Sequence, residues 1–83
     1  MKIQVRYFAS LRESIGVGLE AFETLGPDVA SLRLQLIARG GAHAECLALG
    51  HPVRVAVNQV MADDATLLSG DCEVAFFPPV TGG

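Results

Sequence analysis

The residues with chemical promise are gathered at the end of the chain, Phe76-Phe77-Pro78-Pro79-Val80-Thr81-Gly82-Gly83. An apolar strand runs into two prolines, a short spacer follows, and the sequence closes on paired glycines. Proline fixes φ and carries no N–H, so Pro78 and Pro79 end sheet pairing and hold the chain extended. Gly82 and Gly83 have no Cβ, so the last backbone units fit a slot too narrow for any side chain. From Pro78 onward the chain can reach about 20 Å, at roughly 3.3–3.6 Å per residue. The one reactive group at the tip is the α-carboxylate of Gly83. Glycine-rich ends are commonly just disordered. A Phe-Phe-Pro-Pro base behind a compact domain points instead to a working tail.

Other chemistries find little support. Cys46 and Cys72 are far apart and neither belongs to a C-x-x-C pair, while His43 and His51 lack zinc-site spacing. Cys72 continues an inward alternation with Val74 and Phe76, and Cys46 lies among Ala44, Leu47 and Ala48, so both read as small core residues. Gly70 before Asp71 reads as a turn glycine, and no Gly-rich phosphate motif occurs. The net charge of −3 disfavours nucleic acid as a partner. Arg54 is the last basic residue, and Asp63, Asp64, Asp71 and Glu73 follow it. A partner receiving the tail should therefore be locally basic.

The elements that must present this tail form one small domain of 83 residues, with 51% hydrophobic residues supporting a packed core. No apolar run approaches the ~20 residues of a membrane span. The start, Met1 to Arg6, alternates in polarity unlike a signal peptide, which makes the cytoplasm the expected location. Ile3, Val5 and Tyr7 share one face of a strand over 2–8. A short helical turn over 9–16 ends at glycine, and a second strand covers 17–23. Asp28 is an N-cap for the main helix, whose stripe of Val29, Leu32, Leu36 and either Arg33 or Ile37 runs to about Arg39 before Gly40-Gly41 ends it. A further short turn is expected over 42–49. Val53 to Val57 is a third strand, Asn58-Gln59 a tight turn into Val60-Met61, and Cys72 to Phe77 the last strand. The order suits an α+β sandwich, one sheet with a helix across one face. Parallel first and last strands at its middle would give the ubiquitin-like β-grasp fold: a mixed sheet of about five strands over 1–77, then an extended tail over 78–83.

At this point the sequence resembles a known family. The stretch Ile3-Gln4-Val5-Arg6-Tyr7-Phe8-Ala9 with Leu11-Arg12-Glu13, then Val57-Asn58-Gln59, then Gly70-Asp71 leading into Val74 to Gly83, is similar to the small subunit of molybdopterin synthase. The resemblance covers the chain from first strand to last residue, and its C-terminal block is the most specific part. It implies the β-grasp fold and a sulfur carrier. An E1-like adenylyltransferase would adenylate Gly83, consuming ATP with Mg, and the product would become a thiocarboxylate. The tail would then enter the large synthase subunit, where the sulfur builds the dithiolene of molybdopterin from precursor Z. The chain itself would bind no cofactor and no metal and supply no acid or base. It would be a non-catalytic, sulfur-donating subunit of that enzyme, in a heterotetramer with two large subunits.

Carried over residue by residue, Gly83 bears the sulfur and Gly82 allows passage. Phe77, Pro78, Pro79, Val80 and Thr81 become partner-binding residues, with Thr81 at a variable small position. Phe77 alternates away from Val74 and Phe76, so it is either an outward anchor or a residue packed under the helix. Met61 faces the partner or fills the core. Arg12 either holds an acidic partner group or is a solvated helix residue, the more ordinary reading. Asn58 is read as turn chemistry before partner contact. Two other functions fit the same tail: a carrier for another product such as thiamin thiazole, or a modifier joined to lysines through Gly83. A third, an interaction module with an inert tail, predicts that loss of Gly82-Gly83 changes nothing.

Overall fold

A computed structural model describes residues 1–79 of the chain; Val80, Thr81, Gly82 and Gly83 lie outside the described residues. The elements are β1 (Lys2–Tyr7), α1 (Ala9–Ile15), β2 (Leu19–Glu23), α2 (Val29–Ile37), α3 (Gly41–Leu47), β3 (Arg54–Val57), β4 (Val60–Ala62) and β5 (Glu73–Phe77). They form one sheet in the order β2-β1-β5-β3-β4. Within it, β1 and β5 pair in parallel and the other neighbours are antiparallel. This is the expected β-grasp arrangement, with the first and last strands side by side at the middle.

Strand alternation puts Ile3, Val5 and Tyr7 of β1 and Val74 and Phe76 of β5 on the helix side, all buried with Cys72. Val29, Leu32 and Leu36 of α2 and Leu11 of α1 close the core from the other layer. Local chemistry sets the turns. Asn58 and Gln59 both take positive φ, 50° and 68°, the backbone of a type I′ turn between β3 and β4. Asn58 also ties that turn to the start of β5: its N–H donates to the Glu73 carbonyl at 2.8 Å and its Oδ1 accepts the Glu73 N–H at 2.9 Å. Asp28 caps α2, its Oδ1 accepting the Ser31 N–H at 2.9 Å. That hydrogen bond holds the Asp28 carboxyl below its ordinary range. Gly26 is needed just before it, because a Cβ there would collide with Ser31.

The structure refines three readings. The stretch over 42–49 is a two-turn helix, and Gly40 and Gly41 begin it rather than ending α2, which stops at Ile37. Pairing of the second strand starts at Leu19, because Gly16 (φ 94°) first turns the chain out of α1. Of the two residues offered for the α2 stripe, Arg33 is the buried one and Ile37 is half-buried. The Arg33 guanidinium is satisfied without a carboxylate. Its Nε donates to the Leu47 carbonyl at 2.7 Å and its Nη2 to those of Ala48 and His51 at 2.8 and 3.2 Å. A cation there also suits the C-terminal end of α3.

A polar cluster fastens β2 to the helical layer. The Glu20 carboxylate accepts from Tyr7 Oη at 2.7 Å and Arg39 Nη1 at 2.7 Å, and His43 Nε2 lies 3.0 Å away. Burial alone would raise the Glu20 pKa, but these hydrogen bonds outweigh it and lower the value from 4.5 to about 2. Burial, reinforced by Glu20, pushes the Tyr7 phenol well above its usual range, so it stays a donor. The lowered Glu20 value sets the sign of a pH effect. The stability it contributes is fully present above the unfolded pKa and is lost as pH falls toward about 2. Glu20→Gln should therefore lower the unfolding free energy at neutral pH by about 1–2 kcal/mol, solvent screening at this partly exposed site reducing the full effect. The gap to the parent should close as acid is added, which urea unfolding along a pH series measures.

Candidate functional site

The site is where the chain leaves the sheet. β5 is the central strand, flanked by β1 and β3, and its last residue, Phe77, sits opposite Arg54. The Phe8 N–H donates to the Phe76 carbonyl at 3.1 Å, so pairing with the β1 side persists to the last turn before the prolines. Pro78 and Pro79 follow half-buried, and with no N–H to donate they end the ladder there. The chain thus departs from the middle of the sheet, at the end where β1 also finishes.

Strand register defines the face away from the helices. One row across it runs Leu19, Arg6, Ala75, Ala56, Met61. The two alanines make a flat floor. Leu19 and Met61 stand at its edges, 51% and 53% exposed. Arg6 lies over the floor, its Nη1 3.7 Å from Glu73 and its guanidinium 5.8 Å from the Phe8 ring centroid. Phe8 is 44% exposed on the same end of the sheet as Phe77. Large apolar side chains held on paired strands form a surface suited to recognition. Among the described residues, no group of three or more His, Cys, Asp and Glu side chains is placed to hold a metal ion.

Phe77 belongs to this outer surface: it is half-buried and stands outside the core cluster that contains Phe76. Met61 is likewise exposed rather than core, so both open alternatives resolve toward the surface. Arg12 is not brought to the same place. It lies on α1, folded over Gly18, with its Nε 3.1 Å from where a Cβ would stand, toward the β2 side and away from Met61. Gly82, Gly83, Val80 and Thr81 fall outside the described residues. Sequence reasoning passed over Phe8 and Leu19. Phe8 had a signal, since Lys2, Gln4 and Arg6 already mark the even positions of β1 as outward; Leu19 had none, because the facing pattern of β2 is blurred.

The sheet order and its parallel central pair define a ubiquitin-like β-grasp domain. A family model described as the ThiS family matches residues 5–83, and the chain belongs to that family. It is 42% identical over 82 residues to the molybdopterin synthase sulfur carrier subunit of Escherichia coli, a match covering 98% of this chain and 99% of that one. The solved complex of subunits 1 and 2 of molybdopterin-converting factor from Helicobacter pylori contains a similar chain, with TM-score 0.70, 26% identity and full coverage of both. The small archaeal modifier protein 1 of Methanosarcina acetivorans shares the fold, with TM-score 0.77 at 22% identity over 99% of this chain and 96% of that one. Among the described residues, no helix is long and apolar enough to cross a membrane.

The division into core and outer face predicts unequal costs. Phe76→Ala should destabilise by about 3–5 kcal/mol, the range for emptying a buried aromatic site. Met61→Ala and Phe77→Ala should each cost about 1 kcal/mol or less. Urea unfolding of the three variants checks the contrast, and a Phe77→Ala loss equal to that of Phe76→Ala would place Phe77 in the core.

Proposed function

We propose that this chain is the sulfur-carrier subunit of a molybdopterin synthase and that Gly83 is its working residue. The observation that carries the reading is that family similarity continues through residue 83, taking in Pro78-Pro79 and Gly82-Gly83. A carboxylate is a poor electrophile, so it must first be activated. An E1-like enzyme joins the Gly83 carboxylate to the α-phosphorus of ATP, with Mg, and pyrophosphate leaves. Sulfide-level sulfur from a donor then attacks the acyl carbon and AMP leaves, giving a thiocarboxylate. That sulfur is a soft nucleophile suited to forming the C–S bonds of the dithiolene from precursor Z. Water finally returns Gly83 to the carboxylate, so the carrier is recycled.

Within this cycle the body docks and the tail delivers. Phe77, Pro78, Pro79, Val80 and Thr81 form the base and passage that the large subunit grips, with Gly82 threading the narrowest part. Met61 and the alanine floor meet the large subunit beside it. Arg12, away from that floor, reaches an acidic group on a partner only if the contact extends past the β2 side. The cytoplasm supplies both partners, and two large subunits with two carriers make the assembly. ATP and Mg belong to the activating enzyme; this chain holds no cofactor.

Intact mass after incubation with an E1-like activator, ATP and a sulfur source tests the reading. The expected product is heavier by the difference between one sulfur and one oxygen. Lysine-linked adducts would instead make the chain a modifier, and an unchanged mass in an assay that loads a known carrier would make the tail inert. Removing Gly82-Gly83 should abolish loading while leaving the melting temperature nearly unchanged, since two glycines carry no apolar side chain. Phe77→Ala should weaken binding to the large subunit roughly 10- to 100-fold, as for an interface anchor, measured by calorimetry.

A further inference from the structure

The two edges of the sheet are unlike. β4 is a three-residue strand followed at once by Asp63 and Asp64, a short and charged edge of the kind that resists further pairing. β2 is longer, Leu19–Glu23, holds no proline and no lysine, and pairs only with β1. The register with β1 tells which backbone groups of β2 are free. Thr24 and Met1 exchange N–H···O bonds at 2.9 and 3.1 Å, and the Tyr7 N–H donates to the Gly18 carbonyl at 3.1 Å. In an antiparallel ladder such pairs alternate, so Gly18, Glu20, Phe22 and Thr24 direct their N–H and C=O toward β1. Leu19, Ala21 and Glu23 direct theirs outward. The next outward N–H, that of Leu25, is already taken by Gln35 Oε1 at 2.9 Å. Gln35 therefore sets one end of an open ladder.

We propose that this edge pairs antiparallel with the same edge of a second copy of the chain, about a two-fold axis at Ala21. In that register Ala21 meets Ala21, and each outward residue exchanges both backbone bonds with its opposite. Leu19 faces Glu23 and Glu20 faces Phe22, so no glutamate stands directly opposite another. Both glutamates are also neutralised within their own copy. Glu20 is bonded to Arg39 at 2.7 Å, and Glu23 lies 2.6 Å from the N-terminal amine. The result is a continuous sheet through two molecules, with the two β5 strands running in opposite directions and Met61, at the far edge of each sheet, left clear. A strand-edge contact of this length falls below the size of a permanent interface, so the pair is transient and favoured by concentration. This inference does not rest on the sulfur-carrier reading.

Sedimentation equilibrium of the full chain from about 10 μM to about 1 mM should show a monomer passing toward a dimer. Ala21→Pro removes only an outward N–H, which an edge strand tolerates, and should hold the chain monomeric with its melting temperature kept. Ala21→Val keeps that N–H and should still pair. Amide exchange on the unaltered protein gives an independent readout: on concentration, Leu19, Ala21 and Glu23 gain protection while Glu20 and Phe22, bonded within the copy, do not change. A monomer at every concentration, a dimer undiminished by Ala21→Pro, or new protection at Met61 of β4 in place of β2 would each overturn the proposal.

Discussion

Parallel pairing of β1 with β5 is the constraint from which the rest follows. Strands that run the same way cannot be joined by a hairpin, so everything between them must act as one crossover. That crossover holds three helices and three strands here, and it has to cover one face of the central pair to bury Val5, Tyr7, Val74 and Phe76. The same pairing fixes where the chain comes out. Because β5 is central and ends level with β1, the residues after Phe77 start between two neighbours rather than at a margin. Pro78 and Pro79 then stop a sheet that would otherwise continue.

Much of this was legible in the sequence because it rests on short-range rules. Period-two alternation gave β1 and β5, the Asp28 cap gave the start of α2, and Asn58-Gln59 gave the hairpin through their tolerance of positive φ. What stayed hidden depends on partners distant in sequence. α3 has no clean apolar stripe, only Cys46 and Leu47 buried among alanines, and its end is held by Arg33 from another helix. The choice between Arg33 and Ile37 could not be made along the chain, since what admits an arginine to the interior is a set of carbonyls from 47–51. The Glu20 cluster gathers side chains from β1, β2, α3 and the loop before it, and no spacing announces that. At the candidate site, the motif residues were readable, while the alanine floor appears only when β1, β5, β3 and β4 are laid side by side.

The stabilising groups and the exposed ones are kept apart in space. Tyr7 shows how one strand achieves this. On the helix side its hydroxyl reaches Glu20, and its ring stacks with Phe76 at 6.4 Å between centroids. Its chain neighbours Arg6 and Phe8 face the outer surface, as Phe77 does after Phe76. Along β1, residues that fix the fold therefore alternate with residues turned to the outer face. Changes on the outer face leave the core intact for that reason, and a recognition surface can vary without threatening the body beneath it.

This separation also suits the sulfur-carrier role proposed for the chain, in which acids, bases and metals belong to the partners. A group delivered to several active sites in turn must meet different acids, bases and metals at each, so chemistry built into the carrier would be misplaced at most of them. The carrier's contribution is position. A sheet whose centre strand leads into two prolines gives the chain a defined point of departure, and on the proposed reading the absence of a Cβ at Gly82 and Gly83 is what a narrow partner channel would require. An exit at the sheet margin would face a neighbour on one side only and point less surely. Central placement of β5 is thus the feature by which the fold serves the tail.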